Sequence, residues 1–546
     1  MADAQNLIRQ SENLFNKTER INSENMWNEL TKYIMPNQFG VFHGNQGTEG
    51  SKKTNGIFDS TPIHANVDLA SSMHATLTNP STKWSKLRYK SDELNNDSDS
   101  TAWLQAATDA IHSFLNESNF DTQASRNYNN YSALGNMVLF HDSKRSGNKF
   151  DGFIFKALHL SEIAFSENAE GIVDVLYRKF KLTVRQAVEM WGNKLDKKYF
   201  EMLETQPEKR FEFLHCVGPR DPKEVRLNDA GLAPGDRRPY YSVYIDIQQK
   251  QIIDEDGYYE FPFYVTRWQT MTGEVYGRGP GHTALPDIMT LNKVRELSLR
   301  AAAKMIDPPM ITTMQNVIGN LDIRPQSASV VRNINDIKEL SSVSRIDVTQ
   351  FELQDLRNAI KSTFFLDKLL LPPRTETGEM TAHEIERRLE QMQRVLGPTL
   401  SRLNSEFLSP LIIRAFKILL RENMLPQAPE LVQRLGVDID ITFVNQLSRA
   451  QQTDEINNIR RWIQESMELA QLNPQALDYV NADAIIKFIA KTRGVPESAV
   501  MNDKDVQALR EERAKAQQAQ LALQSAQVLG DVAAKTGVVN EPPTTK

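Results

Sequence analysis

A chain of 546 residues with 40% hydrophobic and 25% charged content has the composition of a globular protein, with a substantial core and room for about two to four domains. A net charge of −6 excludes a protein that grips nucleic acid over its whole surface, because such binders draw their affinity from a large basic excess. The single cysteine, Cys216, excludes an intrachain disulfide, and no apolar run approaches the roughly 18 residues of a bilayer span, so no membrane partner is expected.

The opening MADAQNLIRQSEN lacks a basic stretch ahead of an apolar core, and no secretory signal is expected. Over residues 5–35, Leu7, Leu14, Ile21, Trp27, Leu30 and Ile34 recur at helical spacing, with Pro36 as the stop. A polar, glycine-rich loop follows over 37–56. Its Gly44–Thr54 portion is superficially like a phosphate loop, but Ser51 separates Gly50 from Lys52 and no apolar strand feeds it. A mobile surface loop is the better account. A second helix is expected after the Asp59-Ser60-Thr61-Pro62 cap, carrying Ile63, Val67, Leu69, Ala70 and Met73, and residues 101–140 have helical character again.

Between Phe150 and Trp268 the pattern changes to β-branched and aromatic runs with partial alternation. These are Phe153–Phe155, Ile172–Tyr177, Phe211–Phe213, Tyr240–Ile247 and Phe263–Trp268, with Asp254–Gly257 as the expected hairpin turn between the last two. The region is expected to be α+β around an antiparallel sheet. Cys216 falls in the strand-like Phe211–Val217 and is expected as a small buried hydrophobe.

From Tyr276 to Pro309 a turn built of Gly277, Gly279, Pro280 and Gly281 leads into a helical pattern that Pro308 and Pro309 end. Leu291, Val294, Ala301 and Met305 form an apolar stripe. Lys293, Arg300 and Lys304, spaced i, i+7, i+11, fall within about 40° of arc as a separate basic face. A solvated charged face is the simplest account of these three taken alone. A small mixed segment follows over 308–348, with short strand candidates at Met310–Thr312 and Ala328–Val331, then a helix over 349–366.

The stretch Lys368-Leu369-Leu370-Leu371-Pro372-Pro373-Arg374 precedes a capping box at Thr381-Ala-His-Glu384. That box opens a helix of about 65 Å reaching to about Asn423, with a kink expected at Gly397-Pro398. The remainder is helical over 454–472, 481–493 and 503–535. The last of these is rich in Ala and Gln and too polar to make a core alone, and the tail after Gly537 is expected to be disordered.

The turn, basic helix and proline stop closely resemble a segment of the head-to-tail connector, or portal, proteins of short-tailed bacteriophages. The likeness continues upstream in Ile57-Phe58-Asp59-Ser60-Thr61, Trp84, Phe261-Pro262-Phe263 and Arg267-Trp268, and downstream in Met380-Thr381-Ala382-His383-Glu384-Ile385. Its order and spacing cover more than half of the chain, while the C-terminal hundred or so residues match by helical character. The resemblance implies a predominantly helical α+β portal fold assembled as a ring. Residues 1–280 would be the wing, 281–307 the first stem helix, 308–348 the clip and 349–367 the second stem helix. Residues 368–379 would be a tunnel loop, 380–450 a long kinked helix returning to the wing, and 451–546 a helical crown.

It further implies a dodecamer at one capsid vertex, through which double-stranded DNA is packaged and ejected. The partners would be the terminase large subunit, the major capsid and scaffolding proteins, and tail adaptor proteins, with assembly in the host cytoplasm. Lys293, Arg300, Lys304, Lys368 and Arg374 become channel candidates, contacting phosphates without reading sequence. Leu369–Pro373 become the tip of the tunnel loop, although a buried connector is an equal account of those leucines. A mildly acidic chain with local basic rings suits a conduit, since strong attraction would trap DNA, but it suits equally a protein that never meets DNA, so charge alone decides nothing.

No enzyme signature competes. None of the nine histidines forms an H-x-x-x-H or H-E-x-x-H pair, there is no cysteine cluster, and no G-x-S-x-G elbow or paired-acid signature is present. The scattered histidines are expected at the surface, and neither a metal nor a cofactor is expected. The main rival is another ring-forming virion protein such as a tail adaptor, which is too short to contain the helix–clip–helix–loop–long-helix order. A packaging ATPase or nuclease is a distant third.

Overall fold

The computed structural model describes residues 3–42, 52–147, 149–226, 233–306, 310–311, 338–339, 346–369, 397–443, 456, 459–468, 480–492, 501 and 506–518. Its contacts divide the chain into two units, 1–447 and 448–546.

Two helices open the first unit, α1 (Ala4–Phe15) and α2 (Thr18–Ile34), where the sequence pattern suggested one. The break at Asn16 precedes Arg20, a fully buried guanidinium that donates to the Leu160 and Ile163 carbonyls and pairs with Glu24 at 2.9 Å. α3 (Thr61–Leu77) starts as expected. Asp59 accepts from the Thr61 amide, and Leu69, Ala70 and Met73 are buried while Val67 faces solvent.

β1 (Ser85–Tyr89), α4 (Asp92–Asn96), α5 (Ser98–Glu117) and α6 (Phe120–Leu134) follow. The helical reading of 101–140 runs too far. Gly135, at φ +70°, ends α6, and Asn136 already opens a strand.

Two antiparallel sheets come next. β2 (Asn136–Ser146) lies between β3 (Lys149–Leu158) and β9 (Phe263–Arg267). The larger sheet runs in chain order through β4 (Ile163–Glu167), β5 (Val173–Thr183), β6 (Arg210–Pro219), β7 (Tyr240–Asp246) and β8 (Gln251–Tyr258). Between β5 and β6 two helices, α7 (Val184–Trp191) and α8 (Lys197–Thr205), pack Trp191 and Tyr199 onto the sheet; the sequence pattern did not reveal them.

Asp254–Gly257 is not the turn. It lies inside β8, where Asp256 pairs with Ser242 and Gly257 with Tyr241, and the chain reverses over 247–250 with Lys250 at φ 54°. Gly257 is there for close approach, since a Cβ would come within 2.4 Å of the Gly235 carbonyl oxygen. Cys216 is fully buried, as expected.

The histidines depart from expectation most clearly. His64 is exposed, but His112, His141 and His215 are buried within the aromatic core, because a neutral imidazole packs as a flat ring. His215 stacks on Tyr244 at 4.0 Å and meets the Ser242 hydroxyl at 3.0 Å.

Next come α9 (Pro280–Ile306), the two-residue pair β10 (Met310–Ile311) and β11 (Lys338–Glu339), α10 (Ile346–Thr363) and α11 (Leu366–Leu369). Residues 397–421 are helical throughout. The helix widens to a π-turn over Asn404–Leu408, one residue before the Ser409–Arg421 segment with Pro410 near its start. Proline cannot donate to the ladder and its ring crowds the carbonyl four residues earlier, here that of Glu406, so a widened turn relieves both. The helix Glu430–Leu435 follows, and β12 (Ile439–Phe443) then pairs antiparallel with β1 from the far end of the chain.

The second unit shows helix at 459–468, at Ala482–Thr492 and at 506–518, the last two joined by an Arg510–Asp483 ion pair of 2.6 Å. Several expectations lie outside the described residues. These are the Gly44–Gly50 portion of the polar loop, the Ala328–Val331 strand, Leu370–Arg374, the capping box with His383, and the polar tail.

Candidate functional site

The basic helix is positioned from its N-terminus by backbone lying directly on backbone. A Cβ on Gly279 would sit 2.9 Å from the Gly135 Cα, and one on Gly281 would sit 2.3 Å from the Ala133 carbonyl oxygen. Asn136 closes the contact by donating to the Gly277 carbonyl at 2.8 Å and accepting from its amide at 2.7 Å. His282 caps the turn, its Nδ1 accepting from the Gly279 amide at 3.2 Å. Burial, helped by the Arg278 charge, pushes its imidazole down to about 4, so it stays neutral in that role. The glycines of the turn therefore serve close contact with the C-terminal end of α6, and none of Gly277, Gly279 and Gly281 takes a positive φ.

Beyond the turn, Ala284, Leu285, Ile288 and Leu291 are buried in the main core, and α10 packs alongside through Leu353 and Ile360. A strap from the other end of the unit ties both helices down. Asn292 accepts from the Phe58 amide at 2.8 Å and donates to the Gly56 carbonyl at 2.9 Å. Arg357 of α10 donates twice to Asp59, at 3.0 and 2.7 Å. Burial works to raise the Asp59 carboxyl, but the Thr61 and Arg357 hydrogen bonds outweigh it and hold the group below its ordinary value. The Ile57–Thr61 motif is thus the clasp of the two long helices. Its partners lie more than 200 residues downstream, and no local signal marks them.

The distal half of α9 has a different character. Lys293, Arg300 and Lys304 are all exposed, and the structure brings the first two together on one carboxylate. Glu296, one turn from each, accepts from Lys293 at 3.0 Å and pairs with Arg300 at 2.5 Å. The hydrogen bond from Lys293 leads in holding the Glu296 carboxyl below its usual range. Both pairs lie within one helix. Of the apolar stripe, Leu291 is buried, Val294 and Ala301 half-buried, and Met305 exposed. Leu297, Leu299 and Ile306 are also exposed, as is Phe351 on α10.

The other site candidates are less defined. Lys368 and Leu369 end the backbone of α11, and Leu370, Leu371, Pro372, Pro373 and Arg374 lie outside the described residues. Gly397 and Pro398 begin the described part of the long helix and are helical, so the turn at which a kink would form is not seen.

What the structure adds is how that helix returns. Glu406, presented by the π-turn, receives the Arg267 amide at 2.9 Å and its guanidinium at 2.7 Å, and the same guanidinium reaches Glu167 at 2.6 Å. Arg267 is buried. Desolvation opposes its charge, but Glu406 and Glu167 more than compensate, leaving it raised. Farther along, Arg421 grips Glu260 at 2.6 and 2.8 Å, with Arg414 on the same carboxylate and Arg145 on Glu422. Among the described residues no three His, Cys, Asp or Glu side chains gather to hold a metal, and no helix is long and apolar enough to cross a membrane.

Residues 5–501 match the family described as bacteriophage head to tail connecting protein. A probable portal protein of Bordetella phage BPP-1 is 27% identical over 545 residues, covering 96% of this chain and 94% of that one. The portal protein of Salmonella phage epsilon15 is 26% identical over 518 residues, covering 93% and 91%. A family match of this extent, on a chain whose glycine turn, basic helix and returning helix form one core, places the protein in the bacteriophage head-to-tail connecting protein family.

Proposed function

We propose that this chain is the subunit of a ring-shaped portal at one capsid vertex, the conduit through which double-stranded DNA enters the head and later leaves it. The observation that carries this reading is the family match over residues 5–501, and the structure supplies physical support for it. α9 and α10 leave the core as a packed helical pair whose distal part carries Leu297, Leu299, Ile306 and Phe351 exposed, too much apolar surface to leave in water. Head-to-tail contact between identical subunits covers such surface and closes into a ring. The ring would be a dodecamer, with residues 281–307 and 349–367 as stem helices, 308–348 as clip, 368–379 as tunnel loop and 451–546 as crown.

In that arrangement Lys293, Arg300 and Lys304 face the channel, where symmetry turns each charge into a collar around the DNA. The subunit binds no cofactor and hydrolyses no ATP; a terminase large subunit supplies the work, and capsid, scaffolding and tail adaptor proteins dock on the outside. Negative-stain images and native mass spectrometry of the purified protein test assembly, with hollow rings expected; a compact monomer across micromolar concentrations overturns the reading. K293Q/R300Q/K304Q tests the channel face. Rings persist because Gln has a similar helix propensity, while packaging rate, DNA retention or their salt dependence changes. Wild-type packaging and retention by intact variant rings at every salt concentration removes this face from the mechanism.

A further inference from the structure

We infer that Glu296 is a built-in counter-ion that keeps the basic face of α9 slippery toward DNA, a tuning residue that acts through Lys293 and Arg300 rather than by touching the duplex. This rests on the channel reading of that face. A conduit must neutralise phosphates enough to admit the duplex yet not hold it. Free lysines and arginines gain affinity by releasing condensed counter-ions from DNA, and each phosphate contact adds to the salt-dependent grip.

The geometry here differs from a row of free cations. One carboxylate sits three residues after Lys293 and four before Arg300, at 3.0 and 2.5 Å. Its side chain is only 16% exposed, whereas those of Lys293 and Arg300 are 62% and 70% exposed and extend outward past it. An approaching phosphate must therefore take these cations from Glu296, exchanging one ion pair for another. When the phosphate moves on, the carboxylate takes the cations back. The energy profile along the DNA is flattened, and two of the face's three cations are held in defined positions between contacts. Lys304, two turns beyond Glu296, is outside this arrangement and remains a plain cationic contact.

Assembled wild-type and Glu296→Gln protein, compared for binding of a short blunt DNA duplex over a salt series, provides the test. Glutamine keeps size and helix propensity but removes the charge. The expected result is severalfold tighter binding at low salt and a salt slope steeper by about one per engaged subunit, with slower DNA translocation in a packaging assay. The gain disappears in E296Q/K293Q/R300Q. If E296Q keeps wild-type affinity, slope and translocation while K293Q/R300Q/K304Q weakens them, the inference fails and the channel reading stands. If the triple variant also leaves DNA handling unchanged, the channel reading fails and takes the inference with it. Loss of rings in E296Q makes Glu296 an assembly contact and overturns the inference directly.

Discussion

The two halves of α9 are one continuous helix placed in two different surroundings. From Pro280 to Leu291 it is fixed by glycine contacts, by Asn136 and by buried Ala284, Leu285, Ile288 and Leu291. From Asn292 onward nearly every long side chain, apolar or basic, is exposed or half-exposed on its own subunit. The first half has one face anchored by contacts within the chain. The second half carries exposed side chains, which the proposed ring would place against other subunits and the DNA. Stability and function are therefore separable along a single helix, and perturbations should sort by which half they reach.

Acid should separate the halves most widely. Burial pushes His159 and His282 down to about 4 and His215 to about 3, and holds His112 and His141 below the usual value. All five lie in the body or in the turn. The unfolded chain binds protons at these positions from about pH 6.5 downward, while the folded chain refuses them. The unfolded state thus binds more protons, stability rises with pH, and it is lost as pH falls from 6.5 toward 4, at about 1.4 kcal/mol per unit for each imidazole. The distal half of α9 has no histidine. Chemical denaturation of the body at pH 7 and pH 5 should show a large fall in midpoint, and a midpoint unchanged over that range contradicts these buried neutral imidazoles.

Breaking the anchor of the returning helix comes next. Arg267→Met leaves Glu406 and Glu167 facing each other without their shared cation, at a cost of about 3 to 5 kcal/mol in urea unfolding. A loss under about 1 kcal/mol would mean that water replaces the guanidinium at little cost. Gly281→Ala should cost about 3 kcal/mol, because the Ala133 carbonyl that its Cβ would meet is backbone and cannot swing away.

The smallest effect on stability should come from the distal half. Leu299→Gln with Ile306→Gln is expected to move the unfolding of isolated subunits by less than about 0.5 kcal/mol yet to abolish rings in native mass spectrometry. Rings of wild-type yield would show that subunits join elsewhere.

The legible parts of this fold are those whose cause lies within a few residues. Gly277–Pro280 announced the turn, although its glycines are there for close approach rather than for unusual backbone angles, and the Pro308-Pro309 stop lies outside the described residues. The aromatic and β-branched runs gave strands β3, β5, β6, β7 and β9. Misreadings arose where a residue answers to something distant. Asp254–Gly257 has the composition of a turn, yet Gly257 is glycine because Gly235 and Tyr240 press on it. The helical pattern read through residues 136–140 is cut at Gly135, where the chain turns into β2, and the pairing of β1 with β12 joins segments some 350 residues apart. The basic face and the helical spacing of Glu296 from it were visible in the sequence, whereas the strap from Asp59 was not.

By itself, the sequence determined most of the kinds of element and the place of the basic helix, because periodicity, glycine and proline act over single turns. Only the tertiary structure decided which charges are spent. Asp59, Glu406 and Glu260 look alike as letters among 70 acidic residues. Folding sets each beside particular cations. The strength of an ion pair depends on distance and on the dielectric around it, and both are set by packing between segments that the chain order keeps apart.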